Sequence, residues 1–303
     1  MSDSIVRTRQ LTKYYGTKPA VDDFNIDISS NRIIGLIGKN GSGKTTLMKM
    51  LAGQLDVTAG EIEVFLENPV DNLKVLQNLV YIYHNYKYPK GLSLDTILAN
   101  YNELFPSFDP GFAAKLLSYF DLKPAMKYHQ LSQGMASIFN FICGLSCRAK
   151  LTMFDEPVLG MDVSVRKAVY EVLLRDYTEY PRNFIISSHL ISEIEGVLSD
   201  IILIDNGKLI LYDSIDNVRE SAYRIDGARD NIDRFVQGKE VIYSKTGDLN
   251  SFAVIRGFLT DLIENESKLY NLTLSPSRVE DIFVYITKQN KEEELECLWE
   301  TTK

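Results

Sequence analysis

Apolar and polar positions alternate along this chain with two different periods, and the periods divide it into regions. Up to about residue 35 apolar residues recur at every second position, as in 20–28, which predicts strands with one buried face. Over 92–122 they recur at steps of three and four, which predicts a helical insertion. Strand and helix patterns then alternate over 151–197. We therefore expect an α/β domain built on a mixed sheet.

The second half of the chain contains shorter elements. Apolar runs at 201–204 and 208–212 flank Asp205-Asn206-Gly207, which predicts a hairpin with a tight turn. After Asp216 the pattern changes, and it predicts short strands at 240–244 and 268–274 between short helices. We interpret residues 217–303 as a separate small α/β domain, regulatory or dimerising, that follows a larger domain over 1–216.

The last helix expected in this small domain begins at Ser277. Glu280 follows three residues later, which is typical of a capping box, and apolar positions then recur at helical spacing. Those positions are Val279, Ile282, Phe283 and Ile286. From Lys288 the chain is rich in Lys and Glu, and we expect a solvated helix or a frayed end there.

The most specific chemical signal lies at residues 38–45, which read Gly-Lys-Asn-Gly-Ser-Gly-Lys-Thr. An apolar strand precedes this loop and a helix follows it, which is the context of a phosphate-binding loop. We expect Lys44 to contact the β- and γ-phosphates of a nucleoside triphosphate and the Thr45 hydroxyl to suit Mg²⁺. The nucleotide-binding positions expected here are Gly38, Asn40, Gly41, Ser42, Gly43, Lys44, Thr45 and Thr46.

Two later strands end in polar residues that fit the same chemistry. Asp155 and Glu156 follow an apolar strand, where Asp155 would hold Mg²⁺ and Glu156 would orient an attacking water. His189 follows another apolar strand and would reach the γ-phosphate. Taken alone, the two acids also fit a helix cap or a solvated turn, and the histidine also fits a structural role.

The segment 131–135 opens an apolar helix that runs through Ile138, Phe139, Ile142 and Leu145. Ser132 would cap this helix, so that its hydroxyl and the adjacent N–H groups form an anion site. An ordinary helix cap explains the same residues.

The composition of the chain limits the classes of function that are compatible with it. The net charge of −8 argues against a nucleic-acid-binding surface, and the 45% of hydrophobic residues suffices for packed cores. Three cysteines form no pairwise framework, which fits a reducing compartment, and we interpret Cys143 and Cys147 as core residues on one helix face. No apolar run has the length needed to cross a bilayer, so at a membrane another chain would do the crossing.

Taken together, and in their order along the chain, these motifs resemble those of the ATP-binding subunits of ABC transporters. The resemblance covers roughly residues 3–220. The loop at 38–45 matches the family's Walker A motif, 131–135 resembles its signature, and 151–156 resembles its Walker B motif. The segment 160–162, which ends in Asp162, is similar to the D-loop, and His189 is similar to the H-loop histidine. Tyr15 is similar to the A-loop aromatic residue that stacks on adenine, with Tyr14 as the alternative.

The resemblance implies the ABC-ATPase type of P-loop NTPase fold. This fold has a mixed sheet core, an antiparallel β subdomain and a helical subdomain, here at about 86–146. The implied catalytic residues are Glu156 and His189, and the implied magnesium ligands are Thr45 and Asp155. The residues implied to contact the ATP of a second subunit are Ser132, Gln133 and Gly134.

The resemblance also implies a function and partners. The implied ligands are ATP and Mg²⁺, and the implied partners are a separate transmembrane permease subunit and a second ATP-binding subunit, with no nucleic acid. Homodimer and heterodimer are both allowed. We expect a cytoplasmic protein, peripheral on the inner face of the cell membrane, whose ATP hydrolysis energises transport, more in keeping with export than with import.

This chain departs from the family pattern at two places. Gln133 stands at one of the two signature glycines and Met135 at its terminal glutamine, while Ser132 and Gly134 are retained. His84 stands where the Q-loop has a catalytic glutamine, and its ring can still accept a hydrogen bond from a metal-bound water. The aromatic stretch 86–89 is expected to line the face that meets the membrane partner.

The alternative function is a soluble ABC-type regulatory ATPase that moves no substrate. Translation factors of this type carry two cassettes in one chain, and DNA-repair members carry a long coiled coil, whereas this sequence has one cassette and no sustained heptad run. A P-loop kinase would lack the segment 131–135.

Overall fold

The structure is a computed structural model that describes residues 4–84, 86–245, 247, 251–280 and 282–283. The chain divides into two compact units, Met1–Asp213 and Ser214–Lys303. Among the described residues there is no helix with the length and apolar character that a membrane span requires.

The first unit alternates strands and helices. In chain order its strands are β1 (Ser4–Tyr15), β2 (Lys18–Ser29), β3 (Ile33–Ile37), β4 (Ala59–Val64), β5 (Leu79–Tyr83), β6 (Leu151–Asp155), β7 (Asn183–Ser188), β8 (Asp200–Asp205) and β9 (Lys208–Ser214). Its helices are α1 (Lys44–Leu51), α2 (Leu73–Leu76), α3 (Leu94–Leu104), α4 (Pro110–Tyr119), α5 (Gln133–Ser146), α6 (Val163–Glu179) and α7 (Ile191–Ile194).

The central sheet has the strand order β5-β6-β7-β3-β8-β9. The first five strands in this order pair in parallel. β3, β6 and β7 are buried along their whole length, because helices cover both faces of a parallel sheet and the strands read as continuous apolar runs. The carboxyl ends of parallel strands lie at one edge, so the residues that follow β3, β5, β6 and β7 are brought together.

The hairpin expected at 205–207 is confirmed. β8 and β9 are neighbours in the sheet, and the turn between them has positive φ at Asn206 (47°) and Gly207 (80°). This geometry is typical of a tight hairpin turn, which Asn-Gly favours.

A second, antiparallel sheet has the order β2-β1-β4. Its buried residues, such as Phe24 and Ile26, share one hydrophobic core with Met48 on α1 and Met153 on β6. The mixed sheet and the antiparallel β subdomain expected from the sequence are therefore confirmed.

The helical insertion consists of α3, α4 and α5. Its aromatic residues cluster, with ring centroids 4.7 Å apart for Tyr88 and Tyr128 and 6.1 Å apart for Tyr88 and Phe139. Cys143 and Cys147 are free and fully buried on α5, which confirms their interpretation as core residues.

The segment 189–197 is less helical than its sequence pattern suggests. Leu190 keeps an extended backbone, so α7 begins only at Ile191, and the residues Glu195–Val197 form a single 3₁₀ turn. By contrast, α6 is a regular helix that begins at Val163, because Asp162 caps it from the preceding loop.

The second unit contains α8 (Ile215–Glu220), β10 (Ala222–Gly227), α9 (Arg229–Phe235), β11 (Val241–Lys245), β12 (Ser251–Arg256), α10 (Asp261–Leu269) and β13 (Thr273–Pro276). Its sheet has the order β11-β12-β10-β13, with antiparallel pairs throughout. From β10 onward this is the β-α-β-β-α-β arrangement of the ferredoxin-like motif. A separate core centred on Tyr223, Ile225 and Phe235 lies within this unit.

Two expectations for this unit were wrong. Residues 268–274 do not form one strand: Lys268 and Leu269 complete α10, Asn271 has a positive φ of 51° that ends the helix, and β13 starts at Thr273. The Ser277 hydroxyl is buried without a hydrogen-bond partner among the described residues, so the capping bond is not formed there.

Part of the expected last helix is described. Val279 and Ile282 are buried, and the Ile282 N–H donates to the Arg278 carbonyl at 3.0 Å. Ile286 and the tail from Lys288 lie outside the described residues.

Candidate nucleotide site

The glycine-rich loop at 38–45 connects β3 to α1 at the carboxyl edge of the central sheet. Gly41 and Gly43 have φ of 80° and 110°, which side chains rarely allow. A Cβ atom on Gly43 would also lie 2.3 Å from the Ala20 carbonyl oxygen. The sequence therefore folds here into a tight backbone cradle, and the N-terminus of α1 points into it.

Lys44 is buried within this cradle. Its Nζ donates to the carbonyl oxygens of Gly38 at 2.6 Å and Lys39 at 3.2 Å. Burial lowers the pKa of the Lys44 ammonium from its usual value, and the carboxylates of Glu156 and Asp155 oppose that shift. The ammonium is thus a desolvated point charge, which attracts a phosphate more strongly than an exposed lysine does.

Asp155 ends β6 and is surrounded by hydroxyl groups. Its Oδ2 accepts from Thr45 Oγ1 at 2.7 Å and from the Tyr81 hydroxyl at 3.2 Å, and its Oδ1 accepts from Ser187 Oγ at 2.5 Å. Burial, together with contact with this carboxylate, raises the pKa of Tyr81 well above its usual value. Sequence reasoning missed Tyr81 and Ser187, although Ser187 lies directly opposite Asp155 in the pairing of β6 with β7.

Glu156 is the next residue and has an unusual backbone. Its φ of 53° lies in the left-handed region, which is costly for a non-glycine residue. Its N–H donates to Ser187 Oγ at 3.0 Å, and both carboxylate oxygens lie 3.0 Å from His189 Nδ1. The Ser187 hydroxyl thus joins the two acids, and His189 holds the side chain of the second.

A cavity of about 430 Å³ opens above these residues. Tyr15 lines it and Tyr14 is absent from its lining, and His84 faces it from the end of β5. Sequence reasoning missed Lys18, Pro19 and Ala20, which also line it and lie at the start of β2. The full lining is Tyr15, Lys18, Pro19, Ala20, Asn40, Gly41, Ser42, Gly43, Lys44, Thr45, Thr46, His84, Asp155 and Glu156.

The residues of the segment 131–135 and Asp162 lie outside this lining. Ser132 caps α5 by accepting from the Met135 N–H at 3.3 Å. Asp162 caps α6 by accepting from the Val165 N–H at 2.9 Å, and the Ser164 hydroxyl holds the pKa of Asp162 below its usual value.

These two capped helices meet at the segment 159–161. Ser137 Oγ on α5 donates to the Leu159 carbonyl at 2.8 Å, and a Cβ atom on Gly134 would lie 2.8 Å from the Gly160 carbonyl oxygen. The absence of a side chain at Gly134 therefore lets the two backbones approach each other closely.

Arg166 connects the same segment to the region beyond His189. Its Nε donates to the Met161 carbonyl at 2.9 Å, and its Nη1 forms an ion pair with Glu193 on α7. Ser137, Arg166 and Glu193 were not identified from the sequence, because each acts through a backbone carbonyl or a distant partner.

The oxygen atoms beside the phosphate-binding loop are suitable ligands for Mg²⁺. The Thr45 hydroxyl and the Asp155 carboxylate are hard oxygen ligands, and Ser42 Oγ is buried nearby without a hydrogen-bond partner among the described residues. In the described part of the chain no cluster of three or more His, Cys, Asp or Glu residues could hold a metal by itself. This agrees with Mg²⁺, which is usually bound by a few protein oxygens together with substrate phosphates.

Comparison with known proteins gives a consistent picture. A family model described as "ABC transporter" matches residues 21–159. The uncharacterized ABC transporter ATP-binding protein YcbN of Bacillus subtilis is 31% identical over 219 residues, which are 71% of this chain and 71% of that protein. The bacitracin transport ATP-binding protein BcrA of Bacillus licheniformis is 28% identical over 295 residues, 93% of this chain and 96% of that protein.

Solved structures share the fold of the first unit. An ATP-binding subunit of an ABC transporter superposes with a TM-score of 0.65 at 20% identity, covering 71% of this chain and 92% of that one. A dimeric ATP-binding cassette in a post-hydrolysis state, bound to ADP and Pi, gives a TM-score of 0.62 at 17% identity. The superposition covers 69% of this chain and 98% of that one.

Proposed function

This chain belongs to the ATP-binding proteins of ABC transporters, and from this premise we propose that its ATPase activity energises export through a separate transmembrane subunit. In this proposal the chain lies against the inner face of the cytoplasmic membrane and the membrane subunit carries the substrate. The observation that carries the proposal is the hydrogen-bonded series Thr45, Asp155, Ser187, Glu156 and His189 beside the phosphate-binding loop.

In this series each residue has a separate task. Hydrolysis requires an oriented water, and Glu156 would accept its proton while His189 keeps the carboxylate in position. Lys44 would place its charge against the phosphates, and the loop N–H groups would bind their oxygens. Thr45 and Asp155 would hold Mg²⁺, which supplies charge neutralisation to the phosphates when bound.

A second cassette completes the site in this proposal. Ser132 and Gly134 do not line the cavity of their own chain, and Ser132 stands at the N-terminus of α5, where backbone N–H groups attract anions. We propose that these residues, with Gln133, close over the ATP of a second ATP-binding subunit. Binding of ATP would then join two cassettes and hydrolysis would release them, which gives the membrane subunit two states.

The names of two relatives support a class of substrate. BcrA, which matches both units of this chain, is named for bacitracin transport, and SrtF of Streptococcus pyogenes, 27% identical over 242 residues, is named for lantibiotic transport. We therefore propose export of an antimicrobial compound of this kind. The second unit would serve as a regulatory or dimer-stabilising module.

The experiment that tests this function is co-expression of the chain with the membrane subunit encoded beside it. Stable co-purification, ATPase activity stimulated by the membrane subunit, and tolerance of the host to bacitracin are the expected results. The matched control is the Glu156→Gln variant, which should co-purify and give no tolerance. ATPase activity that no membrane subunit binds or stimulates would instead favour a regulatory ATPase that moves no substrate.

A further inference from the structure

The outward face of α10 in the second unit is apolar. Leu262 and Leu269 are 80% and 83% exposed, and Phe258, just before the helix, is 63% exposed. The opposite face of α10 is packed, since Ile263 contacts the core of the unit and Ser267 is buried. One face of α10 is thus packed on the core of its own unit, and a second apolar stripe faces outward. Exposed helix surfaces are usually polar, so this outward stripe is unusual.

The residues of this stripe follow a self-complementary order. Leu262 and Leu269 are seven residues apart, and so are Asp261 and Lys268, which both lie on one flank of the stripe. Asn265 lies near the middle of both pairs. Seven residues are two turns of a helix, or about 10.5 Å, so each pair faces the same side.

From this order we infer that α10 docks against α10 of a second copy of this chain, antiparallel, around a two-fold axis near Asn265. In this arrangement Leu262 of each copy packs on Leu269 of the other, and Asp261 of each copy meets Lys268 of the other. An isologous interface requires this reciprocity. The Asn265 amides, close to the axis, can donate to and accept from each other.

Charge selects the antiparallel arrangement. In a parallel pair the charged flanks of the two copies would lie on opposite sides of the interface, so Asp261 of one copy could not meet Lys268 of the other. In the antiparallel pair the Asp261–Lys268 contact is attractive and occurs twice. Among the described residues neither Asp261 nor Lys268 has an ion-pair partner within its own chain, so both charges are free to pair across the interface.

Other occupants fit this stripe less well. The tail carries Leu295, Leu298 and Trp299 but is dense in glutamate from Glu292 onward, and it would bring like charge against Asp261 and Glu264. An anionic lipid surface meets the same repulsion.

Site-specific cross-linking tests the inference on the full chain. In a Cys297→Ser background, Asn265→Cys places a thiol near the proposed axis, while Cys143 and Cys147 remain buried. A short bismaleimide should then link two copies. The matched control is Arg234→Cys, exposed on α9 of the same unit, which should give little cross-linked dimer. Equal yields from the two thiols would overturn the inference.

Charge reversal supplies the decisive comparison. Asp261→Lys or Lys268→Asp alone places like charges together twice in each dimer, and the cross-linking yield should fall about tenfold, which corresponds to about 1.4 kcal/mol. The double reversal restores both pairs and should restore the yield. Failure of the double variant to recover contradicts the two-fold arrangement.

Two further outcomes would also overturn the inference. Cross-linking that appears only after removal of residues 288–303 would assign the stripe to the tail. Binding to phosphatidylglycerol vesicles that Leu262→Asp abolishes, without cross-linking, would assign it to lipid. The assay needs no nucleotide, and Lys44→Ala combined with Asn265→Cys should cross-link as well as Asn265→Cys alone, so a failure here is distinguishable from a failure of the ATPase role.

Discussion

His189 Nδ1 lies at the same distance, 3.0 Å, from both carboxylate oxygens of Glu156. This symmetric contact restricts the rotation of the carboxylate, and the left-handed backbone of Glu156 restricts its position. A group that orients water must itself be held in one place, so this pair is the part of the site in which a substitution has the clearest consequence.

We expect Glu156→Gln to keep ATP affinity and to lower turnover by a factor of about 10²–10⁴, because the amide cannot accept a proton from water. Phosphate release and binding of fluorescent ATP measure the two effects separately. Glu171→Gln, an exposed glutamate on α6, is the control and should be neutral. Normal turnover of Glu156→Gln would remove this residue from the catalytic role.

We expect Ser187→Ala to reduce turnover and to raise the Mg²⁺ concentration needed for half-maximal activity. The substitution removes a donor to Asp155 and leaves the Glu156 N–H without its acceptor. The unmet buried groups should also cost about 1–3 kcal/mol of unfolding free energy. Ser199→Ala, at the start of β8, is the comparison for stability alone. An unchanged Mg²⁺ requirement would show that the Ser187 hydroxyl is only structural.

We expect Lys44→Ala to weaken ATP binding by about 1.5–3 kcal/mol or more without unfolding the chain, since it removes the charge that faces the phosphates. Titration of ATP and circular dichroism give the two readouts. Lys49→Ala lies on the same helix outside the cavity lining and should bind normally. Equal affinity of both variants would contradict the assignment of the phosphate-binding loop.

We expect Tyr15→Ala to weaken ATP by about 1–3 kcal/mol, if the value of base stacking on an aromatic ring transfers. Tyr15→Phe should be nearly neutral, because it keeps the ring face. Tyr14→Ala should have little effect, since Tyr14 lies outside the cavity lining. A Phe variant as weak as the Ala variant would argue against stacking.

We expect Arg166→Ala and Glu193→Ala to lower turnover more than ATP affinity, because their ion pair connects the Met161 carbonyl to the helix after His189. The two substitutions should be non-additive, as residues in one network are. A double-mutant cycle on turnover measures the coupling. Additive losses would mean that the two residues act separately.

The parts of the fold and site that depend on local sequence were predictable. The phosphate-binding loop needs only its glycines, Lys44 and the flanking strand and helix, and these are contiguous. Ser187 and Tyr81 were missed because their role depends on which strands neighbour β6, and the sequence does not state the strand order. The segment 268–274 was misjudged because a short apolar alternation fits both a helix end and a strand.

The contact between Gly134 and Gly160 has a consequence for the evolution of this cassette. Position 134 has no room for any side chain, whereas position 133 points its side chain over Gly160, where Gln133 fills the space that a Cβ atom on Gly160 would need. The two neighbouring positions therefore differ in tolerance: glycine can be replaced at 133 but not at 134. Glycine at 160 is favoured by its own backbone, whose φ of 82° side chains rarely allow, so position 160 should stay glycine among close relatives while position 133 varies.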